Sequence, residues 1–95
     1  MKYEQFEAVM RLNGFDIESY GGGSTAWNLE LGDDLVVWVH QDTSHLIDEA
    51  LLATPDGMIE VGVNRGFETI KFTQVNDMHD ALVAAMSYIL EGAGA

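Results

Sequence analysis

The chain has 95 residues, 47% of them apolar, enough for one hydrophobic core and too few for two domains, and that apolar share argues against disorder. With no cysteine there can be neither a disulfide framework nor a zinc–thiolate site, so a reducing compartment is expected. Sixteen Asp and Glu stand against four Lys and Arg, a net charge of −12 that argues against direct contact with nucleic-acid phosphates and favours a basic partner.

In the first segment, KYEQFEAVMRLNG, Tyr3, Phe6, Val9 and Met10 recur near helical spacing. Glu7 precedes Arg11 by four residues and Asn13-Gly14 supplies a stop, so a helix is expected. FDIESY alternates Phe15, Ile17 and Ser19 against Asp16, Glu18 and Tyr20, the pattern of a strand with one wet face. STAWNLEL alternates again, with Trp27, Leu29 and Leu31 on one side. Between them lies the run YGGGSTAW. A phosphate loop needs a helix after it and usually a lysine, but here the glycines lead into a strand-like segment and no basic residue lies between Arg11 and Arg65. The glycines are therefore read as a hairpin connection that uses positive φ.

Gly32-Asp33-Asp34 reads as a turn into LVVWVH, whose unbroken apolar run predicts a central strand covered on both faces. SHLIDEALLAT is ambiguous between helix and strand. Ser44 can cap a short middle helix over 44–53 that ends before Pro55, and helix is the favoured reading. Pro55-Asp56-Gly57 marks a turn, MIEVGVN a strand, Arg65-Gly66 a second turn and FETIKFT a last strand. A final helix is expected to start at Asn76 or Asp77, with an apolar stripe of Met78, Leu82, Ala85, Met86, Ile89 and Leu90. The fold expected is α+β: an antiparallel sheet of about five strands, with the N- and C-terminal helices on one face. Residues 1–91 would form the single domain and 92–95 a flexible tail. MKYEQFEAVM lacks the features of a signal peptide and the longest apolar run, Leu35 to Val39, is far too short for a membrane span, so a cytoplasmic location is expected.

Chemistry-bearing motifs are weak. His40, Asp42 and His45 are possible metal ligands, but their spacing matches no recognised pattern and a polar loop is the simpler account. Ser24, Ser44 and Ser87 lack the context of an activated nucleophile, and adjacent acids are commonplace in so acidic a chain. No catalytic residue, metal site or cofactor is therefore assigned, and no enzyme activity is expected. Two features stand out instead. Asp16 and Glu18 share a strand face about 6.6 Å apart, with Glu30 on the neighbouring strand and Asp33, Asp34 and Asp42 in adjoining loops. This spacing is of the order of that between phosphates along a nucleic-acid strand, roughly 3.4 Å of axis each. The second feature is Trp38. A three-residue turn at Gly32 to Asp34 places it among Asn28 and Glu30 as an aromatic anchor, whereas a two-residue turn sends it inward beside Trp27 and Leu29.

In size, acidity, lack of cysteine and α+β layout, the chain resembles small proteins encoded by phages and mobile elements, including anti-CRISPR proteins and other DNA mimics. That resemblance implies a non-enzymatic inhibitor, acting in the host cytoplasm, that occupies a basic nucleic-acid-binding surface on another protein. It carries over no residue, so Asp16, Glu18, Glu30, Asp33, Asp34, Trp38 and Asp42 are the partner-binding candidates from the residues alone. The order helix, three strands, helix, two strands, helix is also similar to the small acidic chaperones of type III secretion systems, which implies a dimeric interaction module. A small enzyme built around His40 and His45 is the third alternative.

Overall fold

The computed structural model describes residues 1–19, 25–41 and 58–93. Its elements run α1 (Tyr3–Leu12), β1 (Asp16–Ser19), β2 (Thr25–Gly32), β3 (Leu35–Gln41), β4 (Ile59–Arg65), β5 (Glu68–Val75) and α2 (Met78–Ala93). The expected middle helix over 44–53 and the glycine run at 21–23 lie outside the described residues. The five strands form one antiparallel sheet in sequential order, and both helices pack on one of its faces, giving the α+β arrangement expected.

Local chemistry accounts for the helix ends. Lys2 donates its backbone N–H to Gln5 Oε1 at 2.9 Å ahead of α1, and Phe6 and Met10, one turn apart, carry the buried stripe. Gly14, at φ +89°, then reverses the chain, and the Phe15 N–H returns to the Met10 carbonyl at 3.0 Å, which delivers the Phe15 ring to the core. Asp77 Oδ1 accepts the Asp80 N–H at 2.8 Å and so caps α2, as its position predicts. Along α2, Met78, Ala81, Leu82 and Ala85 are buried, but Leu90 is 73% exposed. It follows Ile89 by about 100° of helical rotation, which carries it off the stripe. The helix also continues through Gly92 and Ala93, into the stretch 92–95 expected to be a flexible tail. Gly92 rests on Leu31, whose Cδ1 would lie 2.6 Å from any β-carbon placed there, so contact with the sheet holds this last turn.

The core lies between the helices and one sheet face. Phe6, Met10, Phe15, Trp27, Val37, Val39, Ile59 and Val61 are essentially inaccessible, and burial of each such side chain contributes about 1.5–3 kcal/mol. Arg11 lies 5.2 Å above the Trp27 ring and closes that end of the core. Nearby, burial raises the Tyr3 hydroxyl above the ordinary phenol range and Glu7 adds to the effect, while a hydrogen bond from Trp27 and the charge of Arg11 pull it back.

β3 is the central strand, as expected, but its faces are not equally covered. Leu35, Val37, Val39 and Gln41 are buried under the helices, whereas Val36, Trp38 and His40 on the opposite face are only half-buried. The orientation of Trp38 depends on a compensation that turn length alone could not reveal. The β2–β3 connection is a two-residue turn, with Gly32 opposite Leu35 and both Asp33 and Asp34 at positive φ, 51° and 62°. By strand parity that turn would send Trp38 inward. Leu31, however, is an extra residue in the ladder, a β-bulge between Glu30 and Gly32 that restores the parity. Trp38 therefore lies opposite Asn28, and Val36 opposite Glu30, on the face away from the helices.

Candidate protein-docking face

Strand pairing assembles the face opposite the helices residue by residue. Asp16 is opposite Asn28, Glu18 opposite Ala26, Val36 opposite Asn64, Trp38 opposite Gly62, His40 opposite Glu60, and Gly62 opposite Phe72. Among the described residues its ionisable strand groups are thus Asp16, Glu18, Glu30 and Glu60, with His40 as the single basic one. The chain's four Lys and Arg side chains are all engaged or placed elsewhere. Lys2 precedes α1, Arg11 covers Trp27, Lys71 pairs with Glu91 of α2, and Arg65 Nη1 donates to the Asp33 carbonyl at 3.4 Å. The segregation leaves a negative surface without an internal cation to neutralise it.

The acids on this face are not equivalent. Glu60 has limited exposure and is shared between His40 Nε2, at 3.1 Å, and Gln74 Nε2, at 3.2 Å. It belongs to a cross-strand cluster more than to the free charge. Glu18 accepts a hydrogen bond from Asn28 Nδ2 at 3.2 Å, which orients one oxygen, while Asp16 and Glu30 are exposed. Consecutive outward residues of one strand are separated by about 6.6 Å and neighbouring strands by about 4.8 Å, so the sheet presents these carboxylates as a fixed grid.

Beside the acids stands an aromatic group locked to the sheet. The Trp38 indole crosses Gly62, where a β-carbon would fall inside the ring's van der Waals envelope. Its Nε1–H donates to Asn64 Oδ1 at 2.9 Å, and the Thr69 hydroxyl donates to the same oxygen at 2.8 Å. His40 meets the indole edge-on with centroids 4.9 Å apart, and Phe72 lies tilted at 6.1 Å. Phe72 is 49% exposed, and Phe67, in the turn after β4, is fully exposed. Between Phe67 and the acids lies an open depression of about 360 Å³, bordered by Glu18, Glu30, Val36, Asn64 and Phe67.

Of the candidates read from the sequence, Asp16, Glu18, Glu30 and Trp38 come together on this face, Asp33 and Asp34 form the tip of the β2–β3 hairpin, and Asp42 lies outside the described residues. Sequence reasoning missed Gly62, Asn64, Phe67 and Phe72. Gly62 carried a usable signal, since a glycine inside an alternating strand marks close approach of another group. Comparison of the chain with known protein families, characterised proteins and solved structures returned no match.

The other chemical candidates that lie among the described residues, His40 and Ser87, have ordinary structural partners. His40 is paired with Glu60, while Asp42 and His45 lie outside the described residues. Ser87 donates to the Val83 carbonyl within α2 at 2.9 Å, and Ser24 and Ser44 are likewise outside the described residues. Asp77, His79 and Asp80 approach one another at the start of α2, but all are exposed and Asp77 already caps the helix. No helix among the described residues is long and apolar enough to cross a membrane.

Proposed function

We propose that this protein is a non-enzymatic inhibitor whose sheet face, opposite the helices, occupies a basic nucleic-acid-binding surface of another protein, in the manner of DNA mimics such as anti-CRISPR proteins. The observation that carries the reading is the separation of charge: Asp16, Glu18, Glu30 and Glu60 share that face, while all four Lys and Arg side chains lie off it. A rigid strand grid holds the carboxylates without the entropy cost of ordering a loop, and long-range attraction would speed the encounter with a cationic groove. Trp38, Phe72 and Phe67 add apolar area of the kind that anchors interfaces.

The test is affinity capture from host lysate at low ionic strength, followed by a salt gradient and competition with duplex DNA. The expected result is a retained nucleic-acid-binding protein that DNA displaces and whose affinity falls steeply with salt. Retention indifferent to both treatments overturns the reading. The exposed Phe67 and Phe72 favour one alternative, a homodimeric interaction module of the secretion-chaperone kind in which a second copy covers the aromatic strip. Sedimentation separates the two, because a salt-resistant dimer supports the module and a monomer supports the inhibitor.

A further inference from the structure

We infer that the depression on the acidic face is a seat for arginine, and that the partner presents an extended segment whose guanidinium meets the Glu30 carboxylate and stacks against Phe67. The inference rests on the acidic-face reading and specifies its partner more closely. A plain array of carboxylates attracts lysine and arginine alike, because each brings one positive charge. The depression offers more than charge: carboxylates at its border, the apolar Val36 beside them, and the ring of Phe67 standing free in solvent. A planar guanidinium can donate to two carboxylate oxygens in its own plane while its face lies on an aromatic ring, whereas a lysine ammonium is a strongly hydrated point charge that gains less from such surroundings.

Occupancy within the site agrees with this chemistry. Asn64 Oδ1 already accepts from Trp38 and Thr69, so the wall on that side is fixed before any ligand arrives. Glu18 is oriented by Asn28, and Glu30 has no partner among the described residues, which leaves its carboxylate available to an incoming donor. Gly66 follows β4 at φ +61°, with its N–H bonded to the Asp34 carbonyl at 2.9 Å, and so fixes the base of the turn from which Phe67 projects. Charge complementarity selects a cationic occupant, and the exposed ring selects arginine over lysine.

The experiment measures binding of three short extended peptides at low ionic strength, alike except for arginine, lysine or citrulline at two positions, by titration calorimetry and amide chemical shifts. The arginine peptide is expected to bind about two- to five-fold tighter than the lysine peptide, the range of an exposed cation–π contact. It should shift the Asn64, Gly66 and Phe67 amides, and the citrulline peptide should not bind. Phe67→Ala, at a fully exposed position that can lose its ring without unfolding the sheet, should reduce the arginine preference to near one. Glu30→Gln should weaken both cationic peptides. Equal binding of arginine and lysine peptides, or a preference unchanged in Phe67→Ala, overturns the arginine seat but leaves the acidic face standing. Absence of binding by both cationic peptides overturns both readings.

Discussion

Trp38 shows how a single residue's role depends on a neighbour with no side chain. Its indole can lie flat only because Gly62 leaves the space, and its N–H finds Asn64 only from that position. Gly62→Ala should therefore force the ring off the sheet, at a cost of about 1–3 kcal/mol, and remove the Trp38 share of the near-ultraviolet circular dichroism while the buried Trp27 keeps its own. Retention of the wild-type spectrum and melting temperature would falsify this packing account. Tyr3 offers a second check, through pH. Its folded-state pKa is raised, chiefly by burial, so its neutral form is favoured in the native protein. That contribution is complete below the ordinary phenol pKa of about 10 and is lost as pH rises through the higher folded value. Urea melts from pH 9 to 11 should thus show wild type losing more stability than Tyr3→Phe, and parallel losses would remove the assignment.

At the scale of elements, the β2–β3 hairpin combines a strained turn with a bulge. Asp33 and Asp34 both occupy the left-handed region, where a β-carbon is unfavourable, and they place two carboxylates side by side. Replacing Asp33-Asp34 with Asn-Gly should stabilise the fold by about 1 kcal/mol, several degrees in Tm for a domain of this size. Asp34→Val should shift Tm the other way. The same hairpin shows how far sequence reasoning reaches. Alternation made β1, β2 and β4 legible, because a sheet with one dry face imposes a period of two on Ile17, Trp27, Val61 and their neighbours, while an unbroken apolar run marked β3 and flanking turn residues marked β5. Caps and glycines marked the helix ends. The bulge at Leu31 left no comparable trace, since an extra leucine in an alternating strand looks like its continuation. It nevertheless decides on which face Trp38 lies. Half of the acidic site was therefore visible as strand parity on β1 and β2, whereas its aromatic half depends on a register shift and on Gly62, which only the assembled sheet reveals.

For the whole molecule, the question is whether the acidity acts as a general property or through one surface. A net charge of −12 repels itself, so added salt should raise Tm whichever face does the binding. Binding can separate the two possibilities if total charge is held constant. Glu18→Lys with Glu30→Lys reverses two charges on the sheet face; Glu4→Lys with Glu91→Lys makes the identical change in net charge on α1 and α2. Glu4 and Glu91 are exposed and lie on the helices, away from Asp16, Glu18, Glu30 and Phe67, so this control should reduce long-range attraction without placing cations where the partner docks. If the face is the site, the first pair should abolish capture at any salt concentration, because each lysine meets a partner cation at short range, where like-charge contact costs several kcal/mol. The second pair should slow association modestly, at low ionic strength only, with little change in dissociation. Equal losses from the two pairs would mean that the partner senses overall charge, and the geometry of the sheet would then have no special part in recognition.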